Sequence, residues 1–284
     1  MGKVYLNGQI MEAQDAGIPV SDSGFLYGAG LFETLRASQG KVFCLDDHLD
    51  RLFFSASKLG FNLSTDKPTL IQAINDVLVA NDLKEARLRL TVSVGALSAQ
   101  TREVQPTILI AATDFTPYPD KMYQQGVLVT LCTFRQNTAD PLTGHKTTNY
   151  FSRMLALQQA QQKKAAEALW FTTAGYLAEG CISNVFLVND GKVYTPPIET
   201  PVLAGVARQT VCQLAAKEGI DLLEKDLTID DLLVADEIFM TNVIMTVLPV
   251  VQMEQHKVGD GKVGPITQRL KQAFDHEVEA QCGA

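Results

Sequence analysis

Between Leu45 and Leu59 the apolar residues Leu45, Leu49, Leu52, Phe53, Ala56 and Leu59 recur at helical spacing, and Gly60 follows where a C-terminal cap belongs. Thr69 to Val79 repeats that pattern, so two amphipathic helices are predicted. From Arg87 to Val94 the period changes to two: Arg87, Arg89, Thr91 and Ser93 alternate with Leu88, Leu90, Val92 and Val94, as in a half-buried strand. Thr107 to Ala112 continues that sheet. Upstream, Val4–Leu6 and Gln9–Ile10 flank Asn7-Gly8, a pair suited to the positive φ angles of a two-residue hairpin turn. Asp114-Phe-Thr-Pro-Tyr-Pro-Asp120 holds two prolines and reads as a linker. The expected division is therefore a small N-terminal α/β domain over 1–115, a linker over 116–124 and a larger domain over 125–284. In that larger part the pattern predicts a strand from Val127 to Phe134 and a helix from Thr147 to Lys164. Strands follow near Ala168–Thr172, Val185–Val188 and Val193–Thr195, then a helix over Ala207–Gly219 and a strand over Glu237–Thr241. The class is α/β or α+β, and periodicity does not choose between them.

Composition narrows the functional classes. The chain has 284 residues, 46% hydrophobic and 20% charged, the balance of a globular protein. A formal net charge of −8 supplies no basic field for a phosphate backbone, so small metabolites are expected rather than nucleic acid. The five cysteines, Cys44, Cys132, Cys181, Cys212 and Cys282, contain no C-x-x-C pair. Neither a disulfide framework nor a metal site is expected, and a reducing cytoplasm is. The segment Met1–Met11 is polar and strand-like, unlike a secretory signal, and no apolar run approaches the ~20 residues of a membrane span.

Two segments could carry chemistry. Lys146 sits in Gly144-His-Lys-Thr-Thr-Asn-Tyr150, at an expected loop-to-helix junction. A lysine that forms a Schiff base must shed its proton, and burial or a neighbouring cation favours that. Taken alone, a lysine in this setting is more often simply solvated. Ala178-Glu-Gly-Cys-Ile-Ser-Asn-Val-Phe186 places one carboxylate, Glu179, in a small-residue turn before a strand, where it could hold a heterocyclic N–H. Taken alone, Glu179 is a turn residue, as are Ser183 and Asn184.

Together these segments carry a resemblance. G-x-K-x-x-N-Y, then E-G-x-x-S-N-V-F, then L-x-G-V-x-R around Gly205 closely resemble the fold type IV pyridoxal-phosphate enzymes, the class IV aminotransferase family. That family includes branched-chain aminotransferases, D-amino-acid aminotransferases and aminodeoxychorismate lyases. The likeness extends to Gly24-Phe-Leu-Tyr-Gly-Ala-Gly-Leu-Phe-Glu-Thr-Leu-Arg36, His48-Leu-Asp-Arg-Leu52 and Thr241-Asn-Val-Ile-Met-Thr-Val-Leu-Pro-Val250. It implies a two-domain fold and a homodimer using pyridoxal 5'-phosphate. Lys146 matches the Schiff-base lysine, Glu179 the acid at the pyridine nitrogen, and Tyr150 the tyrosine at the cofactor's phenolic oxygen. Arg51 matches the arginine that clamps the phosphate. Gly205, Val206 and Ala207 match a helix N-terminus that cups it, with Asn242 and Val243 beside them. Tyr27, Thr34 and Arg89 would face substrate. Ala207 and Val243 depart from the pattern, standing where hydroxyl residues are common; Thr241, Asn242 or Thr246 could compensate.

Three features tilt the expected reaction toward 4-amino-4-deoxychorismate lyase, which expels pyruvate and leaves 4-aminobenzoate. They are Glu33-Thr34 where branched-chain enzymes tend to have Glu-Gly, the A-R-L-R-L-T-V-S-V-G strand, and T-N-x-x-x-x-x-x-P-V. Transamination of branched-chain or other amino acids is the alternative. The stretch Ala96–Gln105 lacks the R-x-H pair of D-amino-acid aminotransferases. A non-catalytic protein that binds the cofactor is a reading of another class, opposed by the joint presence of Lys146, Glu179, Tyr150 and Arg51.

Overall fold

A computed structural model describes residues 2–96 and 105–283, so most of the Ala96–Gln105 stretch lies outside the described residues. Contacts divide the chain into two units. The first comprises Met1–Thr116, His145–Tyr150 and Val278–Ala284, and the second Pro117–Gly144 and Phe151–Glu277.

The first stretch of chain forms β1 (Lys3–Leu6), β2 (Gln9–Glu12), α1 (Ser23–Tyr27), β3 (Gly30–Ser38), β4 (Lys41–Val42), α2 (Leu45–Lys58), α3 (Lys67–Ala80), β5 (Ala86–Ser93) and β6 (Thr107–Asp114). The strands make one antiparallel sheet in the order β2-β1-β6-β5-β3-β4. The β1–β2 hairpin turns on Asn7 and Gly8, at φ 48° and 95°, as the Asn-Gly pair predicts. Leu49, Leu52 and Ala56 of α2, with Leu70, Ile74 and Val77 of α3, bury the apolar side of the sheet, including Leu31, Leu35, Leu88 and Leu90. Asp66 caps α3 through the Thr69 N–H at 2.9 Å, and Asp46 and Asp47 sit favourably in the first turn of α2.

The second stretch forms α4 (Asp120–Gln125), β7 (Val127–Gln136), α5 (Phe151–Gln162), β8 (Glu167–Thr172), β9 (Leu177–Gly180), β10 (Asn184–Asn189), β11 (Lys192–Thr195) and α6 (Val206–Lys217). It continues with β12 (Leu222–Glu224), α7 (Ile229–Leu233), β13 (Glu237–Asn242), β14 (Thr246–Met253), β15 (His256–Lys257) and α8 (Pro265–Cys282). These strands form a mixed sheet in the order β12-β11-β10-β13-β14-β7-β8-β9, with β15 on β14. The β14–β7, β7–β8 and β11–β12 pairs are parallel. With an antiparallel first sheet and a mixed second one, the fold takes from both classes that periodicity left open. No helix among the described residues is long and apolar enough to cross a membrane.

Two local expectations change. The helix expected from Thr147 begins only at Phe151, because residues 146–148 lie along the open edge of β3. There Phe32 N–H donates to the Lys146 carbonyl at 2.9 Å, and Thr148 N–H to the Gly30 carbonyl at 2.8 Å. Lys146 is thus on a strand-like strap rather than at a helix start. Helix α8 was not anticipated, although Leu270, Phe274, Val278 and Cys282 bury one face at four-residue spacing.

Candidate active site

In the first unit, the strap is tied down along its length. His145 Nδ1 meets Ser55 Oγ at 2.9 Å, and Thr148 Oγ1 donates to the Gly28 carbonyl at 2.7 Å. Between these anchors Lys146 projects its Nζ to 4.5 Å from the centre of the Phe32 ring. The same ring carries the Arg89 guanidinium at 3.3 Å and meets Tyr150 edge-on at 5.3 Å. Phe32 therefore gathers three residues expected in the site: Lys146, Tyr150 and Arg89. Burial, with the charge of Arg87, lowers Arg89 to about 10, which leaves it cationic at neutral pH. Thr34 pairs with Arg89 across β3 and β5, which puts the two side chains on one face. Tyr27 stands exposed at the end of α1.

Glu33 points the other way, into the sheet side covered by α2. Arg51 binds it through two donors, Nε to Oε1 at 2.8 Å and Nη2 to Oε2 at 2.5 Å, and His48 Nδ1 lies 2.9 Å from Oε2. Burial would raise the Glu33 carboxyl, but the Arg51 charge and the hydrogen bonds from His48 and Arg51 more than offset that and hold it at about 2. Burial pushes His48 below its ordinary value, and its Nε2 is buried without a partner. Arg51 is thus no surface cation: only 11% of its side chain is exposed, and one edge of its fork is fixed by Glu33. Sequence reasoning missed Glu33 and His48 as site-builders. The signal was present, since Glu33 occupies an inward position between Leu31 and Leu35, and His48 and Arg51 stand three apart on one helix face.

The second unit holds the carboxylate and the helix end. Glu179 closes β9, where its Oε2 accepts from Leu203 N–H at 3.0 Å and its Oε1 accepts from Arg153 Nη2. Each oxygen keeps a further lone pair that could take an N–H. Arg153 also donates to the Gly180 carbonyl at 2.9 Å, so it braces the turn as well as the acid. Beneath the turn lies a second carboxyl, Glu167 on β8, which accepts from Ser183 Oγ at 2.6 Å and Ile182 N–H at 3.0 Å. Its burial, with the Glu179 charge adding, raises it to about 7. Gly180 is required here, because a Cβ would fall 1.8 Å from a Glu167 oxygen. Neither Arg153 nor Glu167 was singled out from sequence.

Asn184 links this turn to α6. Its amide donates to the Leu203 carbonyl at 2.9 Å, and its oxygen lies 2.0 Å from where a Cβ on Gly205 would be, so only glycine allows the approach. Gly205 precedes α6 without capping it by a side chain, which leaves Val206 and Ala207 in the first turn of a 12-residue helix. Asn242 donates to the Ile182 carbonyl at 3.0 Å and accepts from Ile244 and Met245 N–H. Ala207 and Val243 are buried and bring no hydroxyl, whereas Thr241 Oγ1 and Thr246 Oγ1 are buried without hydrogen-bond partners. An anion-seeking helix end, an orphaned hydroxyl and a buried carboxylate fit a phosphorylated pyridine. Among the described residues no group of three His, Cys, Asp or Glu is placed to hold a metal.

Known proteins bear this chemistry out at the level of the family. The description "Amino-transferase class IV" matches residues 30–253. A Methanocaldococcus jannaschii protein named provisionally as a branched-chain-amino-acid aminotransferase is 36% identical, over 96% of this chain and 95% of its own. The aminodeoxychorismate lyase of Bacillus subtilis is 32% identical over 97% and 94%, and a D-alanine aminotransferase of Staphylococcus haemolyticus 30% over 99% and 99%. Among solved structures, the T.th. branched-chain amino acid aminotransferase with pyridoxamine 5'-phosphate superposes with a TM-score of 0.92 at 27% identity, covering 99% of this chain and 95% of that one. The chain belongs to the class IV aminotransferase family of enzymes, whose chemistry runs on pyridoxal 5'-phosphate.

Proposed function

We propose that this enzyme is a 4-amino-4-deoxychorismate lyase, releasing pyruvate to leave 4-aminobenzoate. The observation that carries the reading is the face of the first sheet on which Lys146 rests. Phe32, Thr34 and Arg36 on β3 pair with Thr91, Arg89 and Arg87 on β5, so three guanidinium groups and two hydroxyls share that face. Beside Lys146, Arg89 and Arg87 offer charge to a substrate with two carboxylates, and the Phe32 ring lies against both the Lys146 and Arg89 side chains.

When bound, pyridoxal phosphate supplies an electron sink for the pair left as the carbon next to the amine loses its proton. In this reading Lys146 would hold the cofactor through Nζ and, freed when the substrate amine takes its place, would accept that proton at Nζ. Tyr150 hydrogen-bonds the phenolic oxygen, and Glu179 keeps a proton on the pyridine nitrogen. Arg51 would bind the phosphate, as would the backbone N–H groups at the α6 N-terminus, with Val206, Ala207, Asn242 and Val243, and Arg89 and Thr34 would orient a carboxylate of the substrate. The ether carbon–oxygen bond breaks, the ring aromatises, and the released enolpyruvate takes up a proton to become pyruvate.

Transamination is the second reading, favoured by the 36% identity to the Methanocaldococcus jannaschii relative and the likeness to branched-chain enzymes of known structure. Incubation with aminodeoxychorismate, branched-chain L-amino acids and D-alanine in separate assays tests both. 4-Aminobenzoate with equimolar pyruvate supports the lyase, and keto acids formed only with an acceptor overturn it. We also propose a homodimer, since Val20, Phe25 and Tyr27 of the first unit are 81%, 74% and 69% exposed. Sedimentation of an active monomer would remove that reading.

A further inference from the structure

We infer that Thr241 donates a hydrogen bond from its hydroxyl to the phosphate group of the cofactor, in place of the hydroxyls missing at Ala207 and Val243. The proposal rests on the reading of the α6 N-terminus as the phosphate end. Three residues at the β13–β14 turn could bring a polar side chain to that end. Asn242 is committed, its amide to Ile182 and its oxygen to two hairpin N–H groups. Thr246 pairs with Asn242 in the β13–β14 register, and therefore stands on the opposite face from Thr241. Thr241 remains. It is 1% exposed, and its Oγ1 has no partner.

Its direction follows from the sheet. Thr241 pairs directly with Asn184 across β13 and β10, so the two side chains share a face, and the Asn184 oxygen is the atom that closes on Gly205. One pair further along that face, Phe186 and Phe239 stack at 4.9 Å, and α6 packs against β13. The orphaned hydroxyl thus lies on the α6 side of the sheet, in the row that ends at the helix N-terminus. Burying a hydroxyl without a partner is costly, and a phosphate at a helix N-terminus removes that cost. Two or more phosphate oxygens can then be met by backbone N–H groups and one by Thr241.

The test titrates the apoprotein with pyridoxal phosphate, with pyridoxal and with inorganic phosphate, and melts each variant without ligand. T241V should bind pyridoxal phosphate about tenfold more weakly, as expected for losing one hydrogen bond to a charged group. T241S should bind like wild type, and T246V should be unaffected. Pyridoxal affinity should not change in T241V, and its melting temperature without ligand should hold or rise, because valine removes the unmet donor. V206P deletes one backbone N–H at the first helical position, which proline tolerates. If V206P weakens pyridoxal phosphate and T241V does not, Thr241 is no donor although the helix reading stands. If neither does, the α6 reading itself fails. Equal loss of pyridoxal and pyridoxal phosphate in T241V would mark a packing effect and overturn the inference.

Discussion

Replacing Glu33 with glutamine should destabilise the protein by roughly 3 kcal/mol at pH 7, with a pH dependence that identifies the cause. The carboxyl is 1% exposed and held from its ordinary 4.5 down to about 2. At about 1.36 kcal/mol per pH unit, that gap corresponds to roughly 3 kcal/mol. Removing the charge also leaves Arg51, 11% exposed, facing a neutral amide, and breaking a buried pair typically costs about 3–5 kcal/mol. Because the folded-state value is depressed, the stabilisation is fully present above about pH 4.5 and disappears as pH falls toward 2. Glutamine has no proton to gain there. Urea unfolding of wild type and E33Q at pH 7, 5 and 3.5 should show a constant difference between the first two. By pH 3.5 the difference should narrow by roughly 1 kcal/mol. A difference below about 1 kcal/mol at pH 7, or one independent of pH, would refute the claim that this ion pair anchors α2 to β3.

Three further outcomes follow from the site. Lys146→Ala should lose the yellow cofactor absorption and the borohydride-reducible lysine adduct; an adduct persisting in that variant would place the anchor elsewhere. Glu179→Gln should retain cofactor while turnover drops by orders of magnitude, and Glu179→Asp should be milder. The Arg153 contact means the glutamine variant also melts lower, whereas an acid that only shaped the turn would leave turnover intact. Glu167, raised to about 7, should make wild type lose stability as pH rises from about 4.5 to 7, because the folded protein keeps a proton that the unfolded chain has released. Glu167→Gln should flatten that slope in urea unfolding, and an unchanged slope would acquit the residue.

Local pattern was enough for much of the scaffold. Helices α2 and α3, the β1–β2 hairpin and strands β5 and β6 are decided by neighbours a few residues apart, through apolar spacing, a positive-φ turn pair and a capping aspartate. The motifs around Lys146, Glu179 and Gly205 likewise stand in contiguous runs, and this let family and cofactor chemistry be named from sequence. The rest depends on residues far apart in the chain. The segment after Gly144 looked like the start of a helix, yet it becomes a strap because β3, more than a hundred residues earlier, offers an unpaired edge that satisfies its backbone groups. Arg51 stands in a readable H-x-x-R-L run, but the carboxylate that fixes its guanidinium, Glu33, reaches it only across the α2–β3 packing. Glu167 acquires its raised value only because folding buries it under the Glu179 turn. Thr241 is an ordinary strand threonine in sequence; burial on the α6 face, with no partner for its hydroxyl, is a property of tertiary packing alone.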